Sequence, residues 1–272
     1  MSNILEVNNL TVRFGGLTAV NEVTLNQEEG EILSLIGPNG AGKTTLFNLL
    51  TGVYQPTGGT IFFNGENITG KKAYERGRLG LARTFQNIRL FKNMTVLENV
   101  LAAHRDCNTE GVWDAFFMGK RLKEKRKRVV EECEEILGIV GLSDEEDTLS
   151  VNLPYGKQRI LEIARTLALK PGLILLDEPG AGMNSSEKDE LSEVIRYVTR
   201  KMKINILLIE HDMRFVMGIS DRIIVLNHGE IIAGGLPEEI QKDSGVIEAY
   251  LGSGITALDG KGEKDDTGFG NQ

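Results

Sequence analysis

A glycine-rich stretch at residues 37–45 holds the side chains best suited to chemistry in this chain. An apolar run at residues 32–36 precedes it and another at residues 46–50 follows it, which predicts the order strand, loop, helix. This order is typical of a loop that binds phosphate, because glycine tolerates positive φ and lets backbone N–H groups turn toward phosphate oxygens. The predicted phosphate-binding residues are Gly37, Asn39, Gly40, Gly42, Lys43, Thr44 and Thr45.

Two side chains of this loop indicate a nucleoside triphosphate with magnesium. Lys43 can reach the β- and γ-phosphates, and the Thr44 hydroxyl can ligate Mg²⁺. Residues 65–72 also fit the spacing G-x-x-x-x-G-K, but a second lysine stands where the metal-binding hydroxyl would be. We therefore interpret residues 65–72 as a polar turn.

Two adjacent carboxylates, Asp177 and Glu178, follow an apolar run at residues 173–176 that predicts a fully buried strand. A charge at the end of such a strand is costly unless another group compensates it. One carboxylate can hold Mg²⁺ through water while the next orients and deprotonates an attacking water. The alternative is an ordinary turn that begins with aspartate.

Two more polar residues follow predicted strands. His211 comes after the strand at residues 204–209, and Gln86 after the strand at residues 79–85. Ligands bind at the carboxyl ends of strands in open α/β sheets, so both are candidates, with Gln86 also able to contact Mg²⁺. Taken alone, each could be a structural histidine or a surface glutamine.

Two further features could meet a nucleotide. Phe14 ends the first predicted strand and could stack on adenine, although a core phenylalanine is an equal reading. Pro154 precedes a predicted helix, whose N-terminal end could face phosphate. The residues of that helix end are Tyr155, Gly156, Lys157 and Gln158.

These residues are positioned by an α/β arrangement. Short strands surround the glycine-rich loop, residues 87–165 read as helices, and buried strands alternate with helices afterwards. Residues 120–140 place apolar side chains three or four apart, so their basic run at 120–128 is better read as a solvated helix face than as a site for nucleic acid or anionic lipid. Residues 252–272 are polar, and we expect them to be disordered.

The composition restricts the class of protein. There are 31 basic and 39 acidic residues, a net charge of −8, which argues against a general nucleic-acid binder. The two cysteines form no zinc-binding or C-x-x-C pattern. No apolar run approaches the roughly 18–20 residues that span a bilayer. If the protein works at a membrane, we expect other subunits to hold it there.

The motifs taken together occur in the order of the Walker A, Q-loop, signature, Walker B and H-loop motifs, and the chain resembles the ATP-binding subunit of an ABC transporter from residue 3 to about 252. The resemblance implies a P-loop NTPase (RecA-like) core with a mostly parallel sheet, an N-terminal antiparallel β subdomain and an inserted α-helical subdomain. It assigns residues 1–86 and 166–251 to the catalytic core, residues 87–165 to the helical subdomain and residues 252–272 to a tail.

Several local strings are most similar to the LivG-type subunits of branched-chain amino-acid importers. They lie at residues 13–17, 83–91, 153–159, 178–184 and 209–213. The resemblance thus implies an ATPase that drives amino-acid uptake, and urea or amide importers stay an alternative. A soluble ABC ATPase acting on ribosomes or DNA, a P-loop kinase or GTPase, and a nucleotide-sensing regulator are rival readings.

The resemblance also implies roles and partners. Phe14 is similar to the adenine platform, Asp177 to the magnesium carboxylate, Glu178 to the catalytic base and His211 to the γ-phosphate contact. Gln86 is similar to the sensor that meets the permease. The implied partners are transmembrane permease subunits, a second ATP-binding subunit and, indirectly, an extracytoplasmic solute-binding protein, with no nucleic acid and a peripheral location on the cytoplasmic face of the membrane.

The signature motif departs from the usual Leu-Ser-Gly-Gly-Gln. Aligned on Leu153 and Gly156, the serine is replaced by Pro154, the first glycine by Tyr155 and the glutamine by Lys157. The serine hydroxyl that contacts a partner's γ-phosphate in this family is absent. The Gly156 backbone, the helix dipole and the Lys157 charge are what the chain offers instead.

Overall fold

The computed structural model describes residues 3–84, 86–106 and 119–251, and its strands form two sheets. The strands are β1 (Asn3–Phe14), β2 (Leu17–Glu28), β3 (Ile32–Ile36), β4 (Gly58–Phe63), β5 (Glu66–Asn67), β6 (Leu81–Arg83), β7 (Leu173–Asp177), β8 (Asn205–Ile209), β9 (Arg222–Asn227) and β10 (Glu230–Gly235). The predicted strand at residues 79–85 is therefore shorter than expected, and its residue 85 lies outside the described residues.

The larger sheet has the order β10-β9-β3-β8-β7-β6. Strands β9, β3, β8, β7 and β6 run parallel, and β10 pairs antiparallel with β9 at one edge. Every residue of β3, β7 and β8 is buried. These strands are runs of Leu and Ile because both of their faces are covered by other elements. Their carboxyl ends meet at one edge of the sheet.

The smaller sheet is antiparallel, with the order β2-β1-β4-β5. Apolar residues of β1 and β2 face each other in register, as in the pair Val7 and Leu25, and both are buried. They share one apolar cluster with Phe47 and with Leu33 of β3. The antiparallel sheet therefore packs on the element that follows the glycine-rich loop.

The helices are α1 (Lys43–Leu50), α2 (Ala73–Arg78), α3 (Val96–Ala103), α4 (Gly119–Ile139), α5 (Tyr155–Leu167), α6 (Ser185–Arg200), α7 (Met213–Ile219), α8 (Pro237–Ile240) and α9 (Ser244–Leu251). Short 3₁₀ turns at Ser143–Glu145 and Ser150–Asn152 join α4 to α5. No helix in the described part of the chain is both long and apolar enough to cross a membrane.

Helices α3, α4 and α5 come between β6 and β7 in the chain and pack against one another. Helices were predicted for residues 87–165, and residues 107–118 of that range lie outside the described residues. The predicted apolar face of α4 is confirmed at Val129, Cys133 and Leu137, which are buried. The side chain of Leu122, also assigned to this face, lies outside the described side chains. The expected disorder of residues 252–272 likewise concerns residues outside the described ranges.

Candidate functional site

The glycine-rich loop joins β3 to α1 through a backbone that only glycine can adopt at two positions. Gly37 has φ 148°, and a Cβ there would lie 2.0 Å from the carbonyl oxygen of Leu226. Gly42 has φ 102° and precedes α1 as its N-cap, with no side chain capping the helix. The first N–H groups of α1 are therefore left for an external anion.

Lys43 is folded back onto this loop. Its Nζ donates to the carbonyl oxygen of Gly37 at 2.6 Å and to that of Pro38 at 2.9 Å. Burial lowers the pKa of Lys43, while Glu178 and Asp177 act in the opposite direction through their charge. A buried ammonium held by neutral carbonyls gains from an arriving phosphate, because charge-assisted hydrogen bonds are stronger than neutral ones.

A cleft of about 570 Å³ opens in front of the loop. It is lined by Leu17, Thr18, Ala19, Asn39, Gly40, Ala41, Gly42, Lys43, Thr44, Thr45, Gln86, Glu178, His211 and His228. The structure thus gathers most of the residues predicted from the loop and the strand ends into one pocket. His228 was not predicted, and its position in the turn between β9 and β10 gave no sequence signal for it.

Glu178 is held between the two other polar residues that follow strands. Gln86 Nε2 donates to Glu178 Oε2 at 3.0 Å, and His211 Nε2 lies 2.6 Å from Glu178 Oε1. The three residues follow β6, β7 and β8, which are neighbours in the parallel sheet. Glu178 has φ 51°, and its backbone N–H donates to Ile209 O at 2.9 Å. Each carboxylate oxygen of Glu178 therefore contacts a residue that lines the cleft.

Asp177 lies behind the cleft, as the last residue of β7. Its side chain is 6% exposed, and Arg83 Nη2 lies 2.7 Å from its Oδ2. Its backbone N–H faces Thr84 Oγ1 at 3.4 Å. The cost of burying this carboxylate is thus offset by an arginine that the sequence reasoning missed. Only the pairing of β6 with β7 brings Arg83 to Asp177.

The donors expected to hold magnesium are of the right chemical type. Thr44 and Gln86 line the cleft and Asp177 lies behind it, offering a hydroxyl, an amide oxygen and a carboxylate. Mg²⁺ prefers such oxygen ligands together with substrate phosphates. These residues therefore fit a magnesium ion accompanying a triphosphate.

The sequence matches the ABC transporter family over residues 20–181. The chain belongs to this family. Residues 230–255 also match a family described as the branched-chain amino acid ATP-binding cassette transporter. The predicted family is thus confirmed by two family matches, at residues 20–181 and at residues 230–255.

Relatives of this ABC protein cover nearly its whole length. The high-affinity branched-chain amino acid transport ATP-binding protein BraF of Pseudomonas aeruginosa is 48% identical over 250 residues, 92% of this chain and 98% of that protein. LivG of Escherichia coli K12, with the same description, is 46% identical over 249 residues, 92% of this chain and 98% of that protein.

The fold prediction is confirmed by a solved ABC structure. An ATP-binding cassette of an ABC transporter, in its ADP conformation, matches with a TM-score of 0.81 and 32% identity, covering 93% of this chain and 100% of that chain. The protein therefore has the ABC ATPase fold: a mostly parallel core sheet, an antiparallel sheet and inserted helices.

The signature segment of this ABC protein lies outside the residues that line the cleft. Lys157 forms an ion pair with Glu145, and Gln158 Nε2 donates to Leu153 O at 2.9 Å. Tyr155 is 44% exposed, and the Arg159 guanidinium lies 5.6 Å from its ring centroid. The polar side chains of Lys157 and Gln158 are thus engaged within the chain, while the Tyr155 ring remains accessible.

Phe14 also lies beside the cleft rather than in its lining. It is 46% exposed, so the alternative that Phe14 is a core phenylalanine is wrong. Its ring meets Tyr54 edge to face, with ring centroids 5.3 Å apart. Its partner in the hairpin between β1 and β2, Leu17, does line the cleft. Stacking of Phe14 on adenine stays a prediction.

Glu210 is a further polar residue whose function the sequence reasoning missed. It is buried, and it accepts hydrogen bonds from the backbone of Gly180 at 2.6 Å and of His211 at 3.0 Å. Burial raises the pKa of Glu210, and these backbone hydrogen bonds oppose that rise. Glu210 therefore ties the loop after Glu178 to the segment that carries His211. The sequence signal for Glu210 was its place directly before His211, at the end of a predicted strand.

Proposed function

We propose that this chain is the ATP-hydrolysing subunit of an importer for branched-chain amino acids. The observation that carries the proposal is Glu178, held between Gln86 and His211 at the mouth of a cleft that contains Lys43. The near full-length similarity to BraF and LivG supports the cargo, as does the family match at residues 230–255.

In the proposed reaction, each cleft residue has one task. Lys43 exchanges the Gly37 and Pro38 carbonyls for phosphate oxygens, and the N–H groups at the start of α1 hold the same anion. Glu178 accepts a proton from the water that attacks the γ-phosphorus, and the bond from this phosphorus to the ADP oxygen breaks, so that ADP leaves. His211 faces the γ-phosphate. Thr44, Gln86 and Asp177 would hold magnesium, which would neutralise phosphate charge.

The signature segment acts on the nucleotide of a second ATP-binding subunit. Its position supports this proposal, because residues 155–158 do not line the chain's own cleft. With Lys157 paired to Glu145, phosphate contact is left to the Gly156 backbone and the helix end. The attraction of a helix end falls off within one turn, so loss of the γ-phosphate releases the two subunits.

An exposed apolar surface supports docking to permease subunits. Its residues are Phe91, Met94, Leu149 and Val151. They are brought together because Ser150 N donates to Met94 O at 3.0 Å and Ser150 Oγ donates to Phe91 O at 3.0 Å. Apolar patches of this kind mark interaction sites. We therefore place the protein on the cytoplasmic face of the membrane, with a solute-binding protein acting on the opposite side.

Two arginines of α5 link this surface to the signature segment. Arg159 donates to the carbonyl oxygen of Gln86, and Arg165 donates to that of Arg89. The Arg165 guanidinium also lies 4.8 Å from the ring centroid of Phe91. We propose that residues 87–165 move as one helical body relative to a catalytic core formed by residues 1–86 and 166–251, so that permease motion reaches the signature.

The test is uptake of labelled leucine, isoleucine, valine and urea by vesicles that hold the whole transporter. We expect amino-acid uptake that depends on ATP, and a Glu178→Gln variant that binds ATP but turns over about 100-fold or more slowly, as loss of a positioned base predicts. Glu193→Gln, on the exposed face of α6, is the matched control.

Uptake of urea but not of the amino acids would show that the proposed cargo is wrong. Copurification with ribosomes and not with membrane proteins would contradict a function in transport. Turnover of Glu178→Gln near the wild-type rate would remove Glu178 from its role.

A further inference from the structure

Arg83 bridges two elements that carry predicted magnesium ligands. Its Nη2 lies 2.7 Å from Oδ2 of Asp177, which ends β7, and its Nη1 donates to Oδ1 of Asn48 at 2.6 Å. Asn48 stands four residues after Thr44 in α1, about one helical turn away. Gln86, the third predicted ligand, follows Arg83 by three residues. One guanidinium is thus connected to all three segments that offer oxygen to the metal.

The bridge is rigid because it is buried on several sides. The side chains of Arg83 and Asp177 are 11% and 6% exposed. The guanidinium lies 5.8 Å from the centroid of the Phe47 ring, which is itself buried. A planar guanidinium presents its donors in a fixed fork, so its two ends cannot move independently. One nitrogen of the fork is paired with Asp177 and the other with Asn48, so the guanidinium links the positions of these two side chains.

We propose that Arg83 is a positioning residue that fixes the spacing between Thr44 on α1 and Asp177 on β7 for magnesium. The inference rests on the proposed Mg-ATP function. Mg²⁺ demands near-octahedral geometry at about 2.0–2.1 Å, whereas Ca²⁺ accepts irregular geometry at about 2.3–2.6 Å. Loss of the bridge should therefore weaken Mg²⁺ binding more than Ca²⁺ binding. A general loss of folding or of charge would weaken both.

Two variants break the bridge at different ends. Arg83→Lys keeps a positive charge beside Asp177 but has no fork that reaches both partners. Asn48→Ala leaves Arg83 and Asp177 paired and removes only the attachment to α1. Arg78→Lys is the matched control, because Arg78 is exposed and its guanidinium lies over the ring of Tyr74. Thermal melting followed by circular dichroism checks that each variant folds. If Arg83→Lys does not fold, Asn48→Ala alone tests the proposal.

The measurement is titration of the full chain with a fluorescent non-hydrolysable ATP analogue in EDTA, in Mg²⁺ and in Ca²⁺. We expect the gain in affinity from Mg²⁺ to fall roughly tenfold in both variants, the size typical for residues that orient metal ligands. The gain from Ca²⁺ should change by less than about twofold, and affinity in EDTA should stay at the wild-type value because Lys43 is untouched.

An unchanged gain from Mg²⁺, or equal losses for Mg²⁺ and Ca²⁺, would overturn the positioning role while leaving ATP binding in place. A wild-type chain that binds no analogue under any of the three conditions would instead overturn the proposed function, and this inference with it. The two failures are therefore distinguishable in one set of titrations.

Discussion

At the residue scale, the cleft is built from charged groups that are held by their neighbours before any ligand arrives. Lys43 is held by two carbonyls, Glu178 by Gln86 and His211, and Asp177 by Arg83. Such preorganisation reduces the rearrangement needed when the phosphate charge enters. Lys43 and Glu178 line the cleft, while the pair of Asp177 and Arg83 is buried behind it.

The prediction at this scale concerns Lys43. Lys43→Ala removes the buried ammonium that faces the phosphates, and hydrogen bonds to charged groups contribute about 1.5–3 kcal/mol each. We expect ATP to bind at least about tenfold more weakly, measured by titration of a fluorescent ATP analogue. Lys242→Ala, at an exposed position, is the control and should bind as the wild type does. Unchanged affinity in Lys43→Ala would contradict the proposed contact.

At the element scale, strands and helices that carry local patterns could be predicted, and those held by distant contacts could not. The loop between β3 and α1 was recognisable because its neighbours are apolar runs of the expected lengths. By contrast, α2 was missed: it is six residues long and is held by Arg76, which is buried and donates to Leu50 O at 2.8 Å and Thr69 O at 2.8 Å. The first contact compensates a carbonyl at the end of α1 and the second a carbonyl in the loop before α2, and no periodicity in α2 indicates either of them.

Helix α9 was missed for a similar reason. It is eight residues long, and its Val246 and Tyr250 are buried in a small cluster with Ile36 of β3. Its apolar residues are too few for a helical period to stand out, and its position depends on strands far away in sequence. The consequence for the site is direct, because the hydroxyl of Tyr250 is hydrogen-bonded to the backbone of Gly37, the first glycine of the phosphate-binding loop.

The prediction at this scale concerns Tyr250. Burial raises the pKa of Tyr250 to about 12 from the ordinary tyrosine value of 10.0. Between these values the unfolded chain loses the phenol proton and the folded chain keeps it. The free energy of unfolding should therefore fall as the pH rises, by about 1.4 kcal/mol per pH unit from this group. The contribution of Tyr250 to stability should be fully present below about pH 10.

Urea unfolding at a series of pH values from 9 to 11.5 measures this slope. Tyr250→Phe should remove its own share of the fall, so that wild type and variant converge as the pH rises. Tyr197→Phe, on an exposed part of α6, should retain the wild-type slope. A Tyr250→Phe variant whose stability runs parallel to that of the wild type would show that Tyr250 does not titrate in this window.

At the scale of the whole molecule, the sequence indicated which residues form the site, and strand order explains why they meet. Gln86, Glu178 and His211 were predicted separately, each from the strand before it. They converge because β6, β7 and β8 are adjacent in the sheet, an order set by pairings between segments more than 80 residues apart in the case of β6 and β7. Arg83 escaped prediction because its significance depends on that same pairing.

The apolar surface of residues 91, 94, 149 and 151 contributes no residue to the lining of the cleft, so it can be altered without touching the cleft. Phe91→Asp replaces the apolar ring beside the Arg165 guanidinium with a carboxylate. Covering this surface with a permease subunit would then bury a charged pair, whose desolvation costs free energy. We expect loss of copurification with the permease and loss of permease-stimulated ATPase activity, with ATP affinity unchanged. Tyr74→Asp, at an exposed aromatic position in α2 that also lies beside an arginine, is the matched control. Normal assembly of Phe91→Asp would place the permease contact elsewhere on the chain.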